Sequence, residues 1–214
     1  MKPLLILRPE PANGATAARA RALGLEPVQR PLFTIGALPW TAPDPAGFDG
    51  LLLTSANALR HGGPELDRLK GLDAFAVGEA TAQAAAAAGF RVVTTGSGGV
   101  EALLAALPGQ RRLLHLTGAD HRRADTPHLV VSKAVYLAAP LTPELPAGDM
   151  VALIHSPRAG ARLAEIAPHR ARLALAAISA AAARACGEGW ASIDWPERPN
   201  DAALLALAAR LCQG

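Results

Sequence analysis

The stretch LLLTSANAL, Leu51 to Leu59, decides the fold, because it returns as ALIHSPRAG, Ala152 to Gly160. Each copy reads as a buried strand whose end carries small polar residues, Thr54 and Ser55 in one and Ser156 in the other, ahead of a helix. Two more blocks repeat in the same register. FAVGEATAQA (Phe75 to Ala84) pairs with AAISAAAARA (Ala176 to Ala185), and EALLAAL (Glu101 to Leu107) pairs with AALLALA (Ala202 to Ala208). All three offsets are 101 residues, a domain-sized duplication rather than a solenoid repeat. Two similar domains make a cleft between them, a common place for a small-molecule site.

Outward from these blocks, short apolar runs alternate with alanine-rich helical stretches, the pattern of a parallel sheet with helices on both faces. Strands are expected at Leu4 to Leu7, Pro27 to Val28, Leu51 to Leu53, Ala74 to Val77, Val92 to Thr94 and Leu113 to Leu116. Further strands are expected at Val151 to Ile154, at Leu173 to Ile178 and near Ser192. Helices fall between them, the first from Gly14 to Gly24 and the last from Asp201 to Leu211. The polar run Ala119 to His128 is too short for an ordinary parallel crossover, which takes a dozen or more residues, and reads as a turn or a single helical turn. Arg30 to Trp40 and Leu129 to Ala138 read as extended, and Pro140 to Gly148 as a linker. The beginnings of the two units also echo each other: LLILRPE (Leu4 to Glu10) resembles LLHLTGA (Leu113 to Ala119). A discontinuous domain and a simple division near residue 110 both remain open at this point.

Composition narrows the classes. Half of the 214 residues are hydrophobic and only 4% aromatic, so the core is built from Leu, Val, Ile and Ala. No apolar run approaches the roughly 18 residues of a membrane helix, and no membrane role is expected. Cys186 and Cys212 are the only cysteines, which excludes a disulfide framework and points to the cytoplasm. A net charge of +3 suits an anionic small molecule, while no basic run suggests nucleic acid. The glycines at 96–99 lack the Lys–Ser/Thr of a phosphate loop. The six histidines show no paired spacing on a helix face, so no metal is expected. Nothing in the sequence demands an oligomer, and a monomer is expected.

Polar residues at strand ends are where α/β folds place ligands. Ser55, Thr117, Ser156 and Ser179 sit there, either to bind carboxylates with the helix-start N–H groups or as plain N-caps, and the two roles are compatible. Asn57 and Arg158 stand at nearby helix starts, and Arg158 suits a bidentate carboxylate contact or a solvated surface. Tyr136, the single tyrosine, suits interdomain packing as an amphipathic filler.

Taken in order, LILRPEP with Arg8, FDGLLLTSANAL, FAVGEATAQAAAAAGF with Gly78 and Thr81, EALLAAL, LLHLTG with Thr117 and Gly118, AVYLAAP with Tyr136, and LIHSPRAGARL resemble the uroporphyrinogen-III synthase family over essentially the whole chain. The resemblance implies two similar flavodoxin-like parallel-sheet domains joined by a pair of extended linker strands. It assigns 1–34 plus 140–214 to one domain and 38–132 to the other, with 31–38 and 132–140 as linkers. It also implies a cofactor-free lyase that closes linear hydroxymethylbilane with inversion of the last pyrrole ring. Tyr136 would be its acid, and Arg8, Ser55, Asn57, Gly78, Thr81, Thr117, Gly118, Ser156, Arg158 and Ser179 its substrate contacts. The chain departs from the family pattern where the second Gly–x–x–Thr turn reads Ser179 and Ala182, and where 119–128 lacks most of a helix. These departures keep open a non-catalytic two-domain relative that binds a tetrapyrrole or another anion.

Overall fold

The computed structural model describes residues 1–121 and 123–214. The chain forms two compact units, one of residues 1–34 and 139–214, the other of residues 35–138.

The first unit is a five-stranded parallel sheet. Its strands are β1 (Leu4–Ile6), β2 (Pro27–Gln29), β9 (Met150–Ile154), β10 (Leu173–Ala177) and β11 (Ser192–Asp194), and their order across the sheet is β11-β10-β9-β1-β2. β1, β9 and β10 are uniformly buried, as their unbroken apolar sequences require of strands covered on both faces. One face, with Leu4, Ile6, Leu153 and Ala176, is roofed by helices α1 (Ala12–Ala22) and α7 (Asp201–Gln213). Helices α5 (Pro157–Ile166) and α6 (Ala180–Ala185) belong to the same unit. Both start on a serine N-cap: Ser156 Oγ accepts from the Ala159 N–H at 3.2 Å and Ser179 Oγ from that of Ala182 at 3.3 Å.

The second unit centres on five parallel strands. These are β4 (Gly50–Leu53), β5 (Ala74–Val77), β6 (Val92–Gly96), β7 (Arg112–Gly118) and β8 (Leu129–Pro140). β3 (Phe33–Ala37) lies beside β8, giving the order β3-β8-β7-β4-β5-β6. Helices α2 (Ala56–His61) and α3 (Glu79–Ala87) pack on the face of Leu51 and Leu53. On the other face Leu52, Phe75 and Leu113 meet α4 (Val100–Ala105). Short 3-10 helices at Pro45–Gly47 and Gly63–Leu69 add turns that apolar periodicity had not marked.

The five parallel strands follow one spatial order in both units. β7, β8, β4, β5 and β6 take the places of β1, β2, β9, β10 and β11, so the second unit is a circular permutation of the first. This is why the 101-residue repeat covers only three blocks, while the beginnings match at a different offset. The equivalence breaks at one place. α1 connects β1 to β2, but residues 119–121 and 123–128, between β7 and β8, contain no helix or strand, and residue 122 lies outside the described residues. The connection expected to be a turn or a single helical turn is thus irregular throughout its described part.

Candidate active site

In an open parallel sheet, ligands bind at the carboxyl ends of the strands where the strand order reverses. In the second unit that point lies between β7 and β4, with Leu52 opposite His115 in the register. A cavity of about 720 Å³ opens there. The described residues of the β7–β8 connection hold no helix, and α4 packs on the same sheet face.

Four residues expected at a site from the sequence line this cavity: Ser55, Thr117, Gly118 and Tyr136. Ser55 accepts from the Asn57 N–H at 3.2 Å, so it caps α2 while facing the cavity. Thr117 is only 3% exposed and is followed by no helix, so capping does not account for it. Gly118 lets the phenol ring approach: a Cβ there would lie 2.8 Å from Tyr136 Cε2, closer than real contacts allow. The Tyr136 ring also stands 6.3 Å from that of His61, centroid to centroid. The ring is thereby held on two sides.

Three expected residues of this unit do not line the cavity. Thr81, 6% exposed, lies in the first turn of α3, and Gly78, at φ 82°, makes the turn before it. Asn57 is occupied locally, accepting from Arg60 at 3.1 Å.

Sequence reasoning missed the cavity floor. His115 and Thr54, 61 residues apart, share a 2.9 Å hydrogen bond. His115 is 6% exposed, and burial first, then the neighbouring His121 charge, pushes its pKa down to about 4. The floor is therefore a neutral imidazole at neutral pH. The His121 ring meets it edge-on at 5.8 Å. One signal was available: a lone histidine inside the apolar strand RLLHLTG. His128 has a different job. Its Nδ1 accepts from the Arg111 N–H at 3.2 Å and its Nε2 faces the Leu104 carbonyl at 2.9 Å, so both ring nitrogens are engaged by backbone.

The family model described as uroporphyrinogen-III synthase HemD matches residues 14–206. The chain belongs to the uroporphyrinogen-III synthase family. The solved uroporphyrinogen-III synthetase of Helicobacter pylori is similar in fold, with a TM-score of 0.71 at 17% identity over 99% of this chain and 100% of that one. A mutant uroporphyrinogen-III synthase of Thermus thermophilus gives 0.53 at 18% identity, again over 99% and 100%. No curated protein sequence matches the chain.

The switch point of the first unit, in this member of the synthase family, is filled by its own side chains. Arg8 Nη1 donates to Asp201 Oδ1 at 3.0 Å and to Thr16 at 3.2 Å. His155 Nε2 bonds the same carboxylate oxygen at 3.1 Å, and Arg19 pairs with the other. The His155 hydrogen bond, with the two arginines, holds the Asp201 carboxyl down at about 2. Burial lowers the pKa of His155 and that of Arg8. Arg8, expected to contact substrate, thus has an internal carboxylate partner. Ser156 and Ser179 serve as helix caps, and Arg158 lies over the Phe33 ring at 4.5 Å.

Proposed function

We propose that this chain converts hydroxymethylbilane into the inverted cyclic isomer with loss of water, as a lyase that needs no cofactor. The observation that carries the reading is the family match over residues 14–206, joined to a cavity lined by Tyr136, Ser55, Thr117 and Gly118. Tyr136 donates a hydrogen bond to the terminal hydroxyl as it leaves. A phenol with an ordinary pKa near 10 is a donor at neutral pH and a poor base. Water departs, the electron-rich pyrrole becomes an azafulvene, and the substituted carbon of the last ring attacks it to give a spiro intermediate. That intermediate fragments and recloses at the free carbon of the same ring, which then gives up its proton. The ring emerges inverted.

Unassisted closure gives the uninverted isomer, so the protein's work is mainly geometric. Favouring inversion a thousandfold takes about 4 kcal/mol of differential transition-state stabilisation, within reach of oriented binding. The two units serve in this reading as flavodoxin-like domains, 1–34 plus 140–214 and 38–132, joined by extended strands at 31–38 and 132–140. Arg8, Asn57, Gly78, Thr81, Ser156, Arg158 and Ser179 remain proposed substrate contacts.

One observation favours the second reading, a non-catalytic tetrapyrrole-binding relative. Ala182, fully buried, stands where a threonine completes the family's second turn. A single experiment separates the two: incubation of the purified protein with freshly generated hydroxymethylbilane and separation of the isomers. The synthase gives predominantly the inverted isomer. Uninverted product at the spontaneous rate leaves only binding.

A further inference from the structure

The first unit shows what belongs at the switch point of the second. The repeat sets Thr54 against His155, Val100 against Asp201, Thr117 against Arg8 and His115 against Ile6. In the first unit a carboxylate, that of Asp201, occupies the point, held by His155, Arg8 and Arg19, the last from α1. In the second unit Thr54, Val100, Thr117 and His115 all line the cavity. Val100 brings no carboxylate, and among the described residues no helix stands in for α1. Yet a basic set is present there, with His115 in the floor and His121 and Arg123 on the irregular connection. Thr117 is nearly fully buried there and caps no helix.

We propose that this cavity is a carboxylate pocket, in which an acetate or propionate arm of the substrate takes the place that Asp201 holds in the first unit, against His115, His121 and Arg123. The naming of the arm rests on the tetrapyrrole reading above. The histidine pair makes binding proton-coupled. His121 stands 5.8 Å away and disfavours the cationic form of the buried His115, and an anion beside the ring offsets that, so a proton enters with the ligand. The other titratable groups lining the cavity are Asp120, Tyr136 and His128, the last engaged by the Arg111 N–H and the Leu104 carbonyl, while Thr54 bonds His115 itself.

The test uses the full chain and a monopyrrole bearing one acetate and one propionate. Calorimetry at pH 7.5 and 5.5, in two buffers of different protonation heat, reads affinity and proton uptake together. The pocket requires tighter binding at pH 5.5 with net proton uptake. The variants His121→Gln and Arg123→Gln, both at exposed positions, then weaken binding about tenfold. Val100→Asp, which supplies an internal carboxylate as Asp201 does, weakens it at least as much. Absent binding, binding without proton uptake, or unchanged affinity in all three variants overturns the pocket. Turnover of hydroxymethylbilane separates this from the synthase reading. The inverted isomer with an unchanged KM in the three variants removes the pocket alone. Proton-coupled binding without that isomer removes the synthase alone.

Discussion

Single residues carry two opposed requirements in this chain: closeness at Tyr136 and neutrality at His115. Replacing Tyr136 by Phe removes one hydroxyl and almost no volume. If that hydroxyl assists departure of the leaving group, kcat falls roughly ten- to a thousandfold while the melting temperature scarcely moves. Full activity in the Phe variant ends the acid role. Gly118→Ala tests the same ring from the other side. The new Cβ meets Tyr136 Cε2 at 2.8 Å, so the ring or β7 must shift. A loss of about 1–3 kcal/mol in stability is expected, with a drop in kcat that Tyr136→Phe does not deepen. His115 governs acid sensitivity. Its folded pKa of about 4 lies below the 6.5 of a free imidazole. As pH falls, the unfolded chain takes up this proton first, so stability declines from pH 6.5 to about 4 and levels off below. The shift bounds the effect at about 3 kcal/mol. Urea melts of His115→Gln should show a shallower slope across that window, and an unchanged slope would show that other groups carry it. His155, also lowered by burial, keeps the slope from vanishing.

Among the elements, α7 is tied to its sheet at its first residue. Asp201 holds Arg8 from the end of β1, Arg19 from α1 and His155 from the end of β9. Four separate parts of the chain meet on one carboxylate, flanked by the Asn200 N-cap, which accepts from the Ala203 N–H at 2.9 Å. Asp201→Asn keeps the shape and removes the charge. It should cost about 1–3 kcal/mol at pH 7, since charge-assisted hydrogen bonds are lost and two arginines are left facing each other. The folded pKa of about 2 lies below the ordinary 3.8, so this contribution is complete above pH 3.8 and lost as pH falls through about 2. Equal stability of wild type and Asp201→Asn at pH 7 would mean that the network only positions these side chains. The contrasting element is the β7–β8 connection. There the described residues form no counterpart to the helix that carries Thr16 and Arg19 in the first unit, and the connection lines the cavity.

At the scale of the whole molecule, the strand order explains which cuts the protein tolerates. A break at residue 110 separates β1 from β9 and β4 from β7, pairs at the centre of each sheet. Neither half should then fold alone. Removing residues 35–138 and joining 34 to 139 leaves β1, β2, β9, β10 and β11 complete, and this remainder should melt cooperatively. Two independently folded midpoint fragments, seen by circular dichroism and amide exchange, would contradict that. Much of this was legible beforehand. The strands expected at Ala74–Val77 and Val151–Ile154, the serine caps and the family pattern are local features, because apolar runs, capping hydrogen bonds and motif order act over a few neighbouring residues. The duplication and the echo of LLILRPE in LLHLTGA were readable for the same reason. Which residues face one another was not. Arg8 meets Asp201 across 193 positions and His115 meets Thr54 across 61. Those meetings depend on the order of strands in a sheet, and the two units reach one order through permuted chains. Local pattern was enough for the main strands and helices, the repeat and the family. That one switch point holds a carboxylate while a cavity opens at the other emerged from the assembled sheets, because strand order and long-range pairing are not local properties.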